Sequence, residues 1–414
     1  MEKFKLTKGE KAWVLYDIAN SAFILLTSTL VPIYFNTLAE GGGVSSSDYL
    51  AYWGYAGSIS TLIVAFLAPI LGTLADRRNM KRVLFVITLL FGVVGCAFLG
   101  LAWGWFSFLV IFILAKVGYS ACNVFYDAML PEVTTTERMD KVSSHGYAFG
   151  YIGSCIPFLL CLVLVLFGGS FGIPQSTAMV LSFIITAAWW ALLTVPLLKS
   201  YKQTAYSESA GAKLSETFLR LWNTLKNVRK EKHIFVFMLA FFFYIDGVYT
   251  IIDMATAYGS ALGLDTTGLL LALLVTQIVA FPFAILFGRL ATKYSTGLLI
   301  KICIVAYTLI AIYAIFLAHQ WQFWLLAVAV GMFQGGIQAL SRSYFGKIIP
   351  AERSGEYFGL FDICGKGAAF LGTFIVAVIS QLTGSENLAV GTLAIIFIAG
   401  FFLFRWADKL NSGK

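Results

Sequence analysis

The chain has 414 residues, 59% of them hydrophobic and only 12% charged, with a mean hydropathy of +0.84. A water-soluble core of this size cannot enclose so much apolar surface, so the solvent around much of the chain must be lipid. The net charge of +8 would suggest nucleic acid in a soluble protein. Here the basic residues crowd into alternate short connections, so they read as topology signals and no nucleic-acid partner is expected.

Segments such as Val83 to Leu101 are apolar on every face, which excludes the alternation of a barrel strand and leaves helices as the spanning form. Windows of about 20 residues predict spans over residues 12–38, 50–75, 82–103, 105–130, 142–168 and 176–199. Six more follow over 233–262, 266–292, 297–318, 321–348, 355–381 and 388–407. The first apolar run is too long for a cleavable leader and is expected to stay as a signal anchor. The expectation is an all-α membrane protein of about twelve transmembrane helices in two pseudo-symmetric six-helix bundles. Residues 1–199 form the first bundle, 200–232 a cytoplasmic linker and 233–414 the second. Within the linker Leu214, Phe218, Leu221, Leu225 and Val228 recur at helical spacing, predicting an amphipathic helix on the inner leaflet.

The odd-numbered connections carry Glu40, Asp48, Asp265, His319 and Glu386 but no Lys or Arg. The others carry Arg77, Arg78, Lys81, Arg82, Arg138, Lys141, Arg289, Lys293, Lys347 and Arg353. The positive-inside rule then places both termini in the cytoplasm, with the plasma (inner) membrane as the expected location. Trp103, Trp105, Trp321 and Trp324 mark the predicted outer boundaries, Trp13 and Trp406 the inner ones. The cysteines lie in apolar runs without metal-ligand spacing and read as small buried hydrophobes.

An internal repeat supports two halves: Gly72-Thr-Leu-Ala-Asp76-Arg77 after the second span matches Gly288-Arg-Leu-Ala-Thr292-Lys293 after the eighth. Pro131 and Pro350 fall at nearly equal offsets after the fourth and tenth spans. The loop from Gly72 to Arg82 has a small residue for close helix approach, an acid and a basic cluster. It resembles the signature loop of the major facilitator superfamily. That resemblance implies that Asp76 meets the start of span eleven near Gly355, and that Arg82, beside Arg77, reaches Asp127 to latch one transport state. Asn79 stands where that family has Gly, and Asn tolerates a left-handed turn.

Trp13-Val-Leu-Tyr16-Asp17-Ile-Ala-Asn20-Ser21, Gln338-Ala-Leu-Ser341-Arg342-Ser343-Tyr344 and Tyr357-Phe358-Gly359-Leu360-Phe361 are similar to the vacuole-effluxer-like branch of that superfamily, which includes fungal vacuolar amino-acid effluxers.

Polar residues inside the spans recur at intervals of three, four and seven, placing each set on one helix face. They are Asp17, Asn20 and Ser21; Lys116, Tyr119, Asn123 and Asp127; Asp246, Tyr249 and Asp253; Gln334, Gln338 and Arg342; and Asp362 with Lys366. Lys116, Asp246 and Lys366 fall near mid-bilayer, where an ionised group costs about 2.5–3.5 kcal/mol on insertion scales, so these three must be paired, neutralised or hydrated in a cavity. The superfamily architecture implies that spans one, four, seven and ten line that cavity, so that Lys116 faces Asp246 across the halves. Lys116, Asn123, Asp246, Tyr249, Gln334 and Gln338 are the candidate solute-binding residues, with Arg342 offering a second anion contact. Asp246 and Asp253 are the candidate proton-coupling acids, since a low dielectric disfavours a bare carboxylate. Asp17, Asp76, Arg77, Arg82, Asp127, Arg342, Asp362 and Lys366 are candidate gating residues. An ion pair that only fixes helix packing is the structural alternative.

No phosphate-binding loop, zinc spacing or nucleophile with its base is present, so neither an enzyme nor an ATP-driven pump is indicated, and no cofactor or metal is expected. The reading is a monomeric secondary transporter of small polar or zwitterionic solutes, amino acids or short peptides being favoured by the resemblance, with the proton as coupling ion. Efflux of amphiphilic compounds and a transport-dead sensor or scaffold on the same fold are the alternatives.

Overall fold

The computed structural model describes residues 4–44, 46–207 and 231–412. Its long helices are α1 (Lys8–Gly41), α2 (Ser46–Ala75), α3 (Met80–Phe98), α4 (Trp105–Ala128), α5 (Met139–Phe167) and α6 (Gln175–Ser200), then α7 (Lys232–Ala261), α8 (Thr266–Leu290), α9 (Thr296–Ala314), α10 (Gln320–Ile348), α11 (Ser354–Thr383) and α12 (Leu393–Ser412). Among the described residues 11 helices are long and apolar enough to cross a membrane, and α11, at 30 residues, is of comparable length. No strand occurs among the described residues. The linker helix expected between the halves falls largely on residues 208–230, outside the described residues.

Helix starts follow from local chemistry, because the first turn's amides lack intrahelical acceptors. Thr7 and Glu10 close a capping box on α1, with Thr7 N donating to Glu10 (2.7 Å) and Glu10 N to Thr7 Oγ1 (3.3 Å). Asp265 and Ser295 cap α8 and α9 through Gly268 N (2.7 Å) and Leu298 N (3.2 Å). Asn79 takes φ 60°, a left-handed turn that lets α2 pass tightly into α3.

Helix pairing repeats between the halves. In the first, α1 packs on α5 and α6, α3 on α4 and α6, and α2 on α4. In the second, α7 packs on α11 and α12, α9 on α10 and α12, and α8 on α10. The same rule carries across the seams, where α2 meets α11 and α5 meets α8. Each half encloses its own apolar core, one running from Ala12 to Tyr201 and the other from Ile234 to Ala407, the latter taking in Ala128 from the first half. Leu62, Leu192, Leu309, Phe316 and Ile395 lie exposed on the outside, as lipid-facing side chains must.

Glycine sets how closely these helices approach. Gly146, Gly150 and Gly153 of α5 lie directly against Asp17, Ser21 and Ile18 of α1. A methyl group on Gly72 would collide with the Gly355 carbonyl, so the α2–α11 seam requires backbone contact there. A dense set of ion pairs and hydrogen bonds between the halves gathers at one end of the bundle. The starts of α1 and α5 and the end of α10 lie at this end, together with Lys81, Arg138 and Lys347. We call it the basic end.

Candidate gate and solute site

Arg342, near the end of α10, is only 3% exposed, and its guanidinium is satisfied almost wholly by the other half. Nε donates to Ser143 Oγ (3.0 Å), Nη1 to Asp127 Oδ1 (3.1 Å), and Nη2 to Asp17 Oδ2 (3.3 Å) and the Ser143 carbonyl (3.1 Å). Its faces are covered by the rings of Tyr147, Trp13 and Tyr126, whose centroids lie 4.3, 4.6 and 5.4 Å away. Helical spacing creates this cage: Trp13 and Asp17 are one turn apart on α1, Ser143 and Tyr147 one turn apart on α5, and Tyr126 precedes Asp127 on α4. Tyr126 Oη donates to Asp17 Oδ2 (3.0 Å), and Trp13 Nε1 to the Tyr126 carbonyl (3.0 Å).

A second contact crosses between α2 and α11. Asp76 is fully buried and accepts from Gly355 N (2.8 Å) and Glu356 N (2.9 Å), in the first turn of α11 where free amides and the helix dipole favour an anion. Burial pushes this carboxyl up to about 7, against the lowering effect of the Lys81 charge and the two amides. Lys81, also fully buried, pairs with Glu132 and donates to Ser354 Oγ (2.8 Å) and the Ala128 carbonyl (3.3 Å). Glu132 further accepts from Tyr201 Oη (3.0 Å), Thr204 N (2.7 Å) and Ala205 N (3.1 Å), tying the segment after α6 to the same cluster.

A third contact joins α5 to the second half. Asp140 pairs with Lys347 and accepts from Ser343 Oγ and from Thr296 Oγ1 (2.8 Å), while Ser143 Oγ donates to the Ala339 carbonyl (2.7 Å).

Beyond the Arg342 cage lies a polar interior. Asn20 Nδ2 donates to Asn123 Oδ1 (2.7 Å), and Tyr16 Oη reaches the same oxygen at 3.4 Å. Half-buried Tyr249 receives the charge of Asp362, Asp127 and Asp253. Asp253 is exposed although it sits in an apolar helix, and the charged group acting on it is Lys116 of the first half. Gln334 is buried, Tyr151 Oη of the first half is buried without a hydrogen-bond partner, and Gln338 is half-buried one turn from Gln334.

The geometry redistributes several expected pairings. Lys116 acts on Asp253 rather than Asp246. The latter, fully buried, accepts from Gly372 N (2.8 Å) and Thr250 Oγ1 (3.5 Å) of its own half, leaving Oδ2 without a hydrogen-bond partner. The reason is height along the helix: Asp246 and Asp253 share a face but lie two turns apart, and the small Gly372 lets α11 close on the first. Arg82 is exposed and does not make the expected contact with Asp127, whose cation is Arg342; neighbouring Lys81 is the buried cation of that loop. Trp13 is not interfacial but completely buried in the cage, whereas Trp103, Trp321 and Trp406 are exposed. Asp76 does stand against Gly355. Arg77 lies in the same connection, and Asp362 faces the Tyr249 region. The Lys366 side chain lies outside the described residues.

Sequence reasoning passed over Lys81, Glu132, Asp140, Ser143, Tyr147 and Lys347. Asp140 and Glu132 carried a signal, since the connection that holds Arg138 and Lys141 also holds the acids Glu132, Glu137 and Asp140, which a topogenic cluster does not need.

Two bundles sealed at one end by charge pairs around a polar interior define a transporter of the major facilitator type. Its likeness to solved structures lies in the fold: the human organic anion transporter MFSD10 (TETRAN) matches at a TM-score of 0.74 and 13% identity, over 96% of this chain and 99% of that one. The major facilitator superfamily transporter FucP, in its outward conformation, matches at 0.72 and 14%, over 97% of each chain. Residues 7–414 match the family described as vacuole effluxer Atg22 like, and the chain belongs to that family. The MFS-type transporter YxiO of Bacillus subtilis (strain 168) is 42% identical over 413 residues, covering 99% of this chain and 96% of YxiO. Autophagy-related protein 22 of Kluyveromyces lactis is 22% identical over 472 residues, covering 98% and 94%. The protein is thus a multi-pass integral membrane protein.

Proposed function

We propose that the protein moves a small polar or zwitterionic solute, an amino acid or short peptide, by proton-coupled alternating access. The observation that carries this reading is the charge arrangement of the interior. Lys116 of the first half and Asp253 of the second act on each other where the exposed Asp253 requires hydration, so opposite charges are offered to a solute from opposite halves. A zwitterion can replace each by the other's partner, its carboxylate on Lys116 and its ammonium on Asp253, with Asn123, Tyr249 and Gln338 at hand to orient it. Asp246, with one bare oxygen in a buried position, is the second proton candidate beside Asp253.

The Arg342 cage, the Asp76–α11 contact and the Asp140–Lys347 pair act as the gate of the basic end, which faces the cytoplasm by its charge. The family description favours export. Rocking of the halves would break these contacts and open the basic end.

The test is flux of amino acids and short peptides in proteoliposomes, with and without a pH gradient, for the parent and for Lys116→Gln, Asp253→Asn and Asp246→Asn. Gradient-dependent flux of at least one zwitterion, lost in Lys116→Gln and Asp253→Asn, is expected. Flux that ignores the gradient in the parent, or that prefers uncharged amphiphiles, would overturn the reading.

A further inference from the structure

At the basic end the α5–α8 seam carries Lys141 and Arg289, while the acids beside it, Asp140 and Glu10, are engaged by Lys347 and Arg138. Lys141 lies on the first turn of α5, its Cα 3.5 Å from where a side chain on Gly288 of α8 would begin, and exposed Arg289 follows that glycine. His145, one turn further along α5, feels the charge of both Arg289 and Lys141; the carboxylate acting on it is Glu10. Glu10 is already saturated, taking Arg138 Nε (2.7 Å) and Nη2 (2.6 Å) together with Thr134 Oγ1 (2.7 Å). Phe4 packs beneath, with Lys141 Nζ 4.8 Å from its ring centroid. Neither Lys141 nor Arg289 has a carboxylate partner among the described residues.

Lys141 of one half and Arg289 of the other both act on His145, so their like charges oppose closure of the seam unless an anion lies between them. We propose that this anion is the phosphate of an anionic lipid headgroup, which bridges Lys141 and Arg289 and so favours the closed basic end. A free phosphate offers the same oxygens. The setting favours a lipid: Leu286, on the α8 turn before Arg289, and Tyr294 are exposed at this level, an apolar flank along which an acyl chain can run. The inference is independent of which solute is carried.

The test uses the full-length protein, with phosphatidylglycerol and phosphatidylcholine as probes. Native mass spectrometry measures lipid retention, and a pair of fluorescent labels across the basic end reports closure in vesicles of either lipid. The parent should retain phosphatidylglycerol preferentially and close further in its presence. Lys141→Gln with Arg289→Gln should weaken retention about twenty-five-fold, about fivefold for each charge removed. The charge-conserving pair Lys141→Arg with Arg289→Lys should keep it, which separates loss of the site from a folding defect. Equal retention of the two lipids by the parent, or undiminished retention in the Gln pair, would overturn the proposal. So would closure induced as well by inorganic phosphate in phosphatidylcholine vesicles, which would assign the site to a soluble anion.

Discussion

Arg342 and Asp127 meet at 3.1 Å across the two halves, although 215 residues separate them in the chain. Asp17 shares the same guanidinium at 3.3 Å. Removing the cation leaves two carboxylates facing each other, Asp17 nearly buried and Asp127 partly so, and stranding one member of a buried pair costs about 3–5 kcal/mol. Arg342→Gln is therefore expected to shift the population by more than about a hundredfold toward an open basic end. Hydrogen–deuterium exchange over the first turns of α5 would read this as loss of protection. Unchanged protection would remove Arg342 from the gate.

Asp76 gives the gate a pH dependence. In the closed arrangement its carboxyl sits at about 7, burial outweighing Lys81 and the α11 amides, whereas opening rehydrates it toward the ordinary 3.8. Closing then takes up a proton between about pH 4 and 7, so this contribution to the closed state is fully present below pH 4 and is lost as pH rises through 7. Labels across the basic end should show closure declining over that window in the parent. Asp76→Asn, which cannot titrate, should flatten the decline.

Gly72→Ala tests the seam between α2 and α11. Its added methyl meets the Gly355 carbonyl, and overpacking of this kind typically costs about 1–3 kcal/mol. The closed state should lose about fivefold or more in population. Gly54→Ala on the same helix, where a methyl group meets no atom within 4 Å, is the matched control and should leave closure unchanged.

Lys116 and Asp253 should be energetically coupled. Lys116→Gln or Asp253→Asn alone leaves an uncompensated charge in the interior, and each should cut zwitterion flux by about tenfold or more. The double variant should be no worse than the poorer single one, a departure from additivity of about 1–3 kcal/mol. Simple additivity would mean that the two groups work separately.

The span count, the helical class and the two-half plan were legible in the sequence because lipid imposes them one segment at a time. A run of about 20 apolar residues must be a helix wherever it lies. Asp76 was legible for a related reason: its loop is contiguous, so its small residue, acid and turn-forming Asn79 appear together. The stripes on α1, α4, α7 and α10 were readable too, since spacing of three and four settles a helix face.

Pairing between helices was not legible. Whether Lys116 meets Asp246 or Asp253, or whether Asp127 takes Arg82 or Arg342, depends on the relative height of facing helices and on how far glycines such as Gly72 and Gly372 let backbones approach. Trp13 illustrates the same limit: its position in sequence suggested an interfacial anchor, yet only the convergence of α1, α4, α5 and α10 placed its ring on Arg342. The sequence by itself determined what each helix must be, because solvent acts locally. Only the tertiary structure decided which charges share a site, because that depends on contacts between segments far apart along the chain.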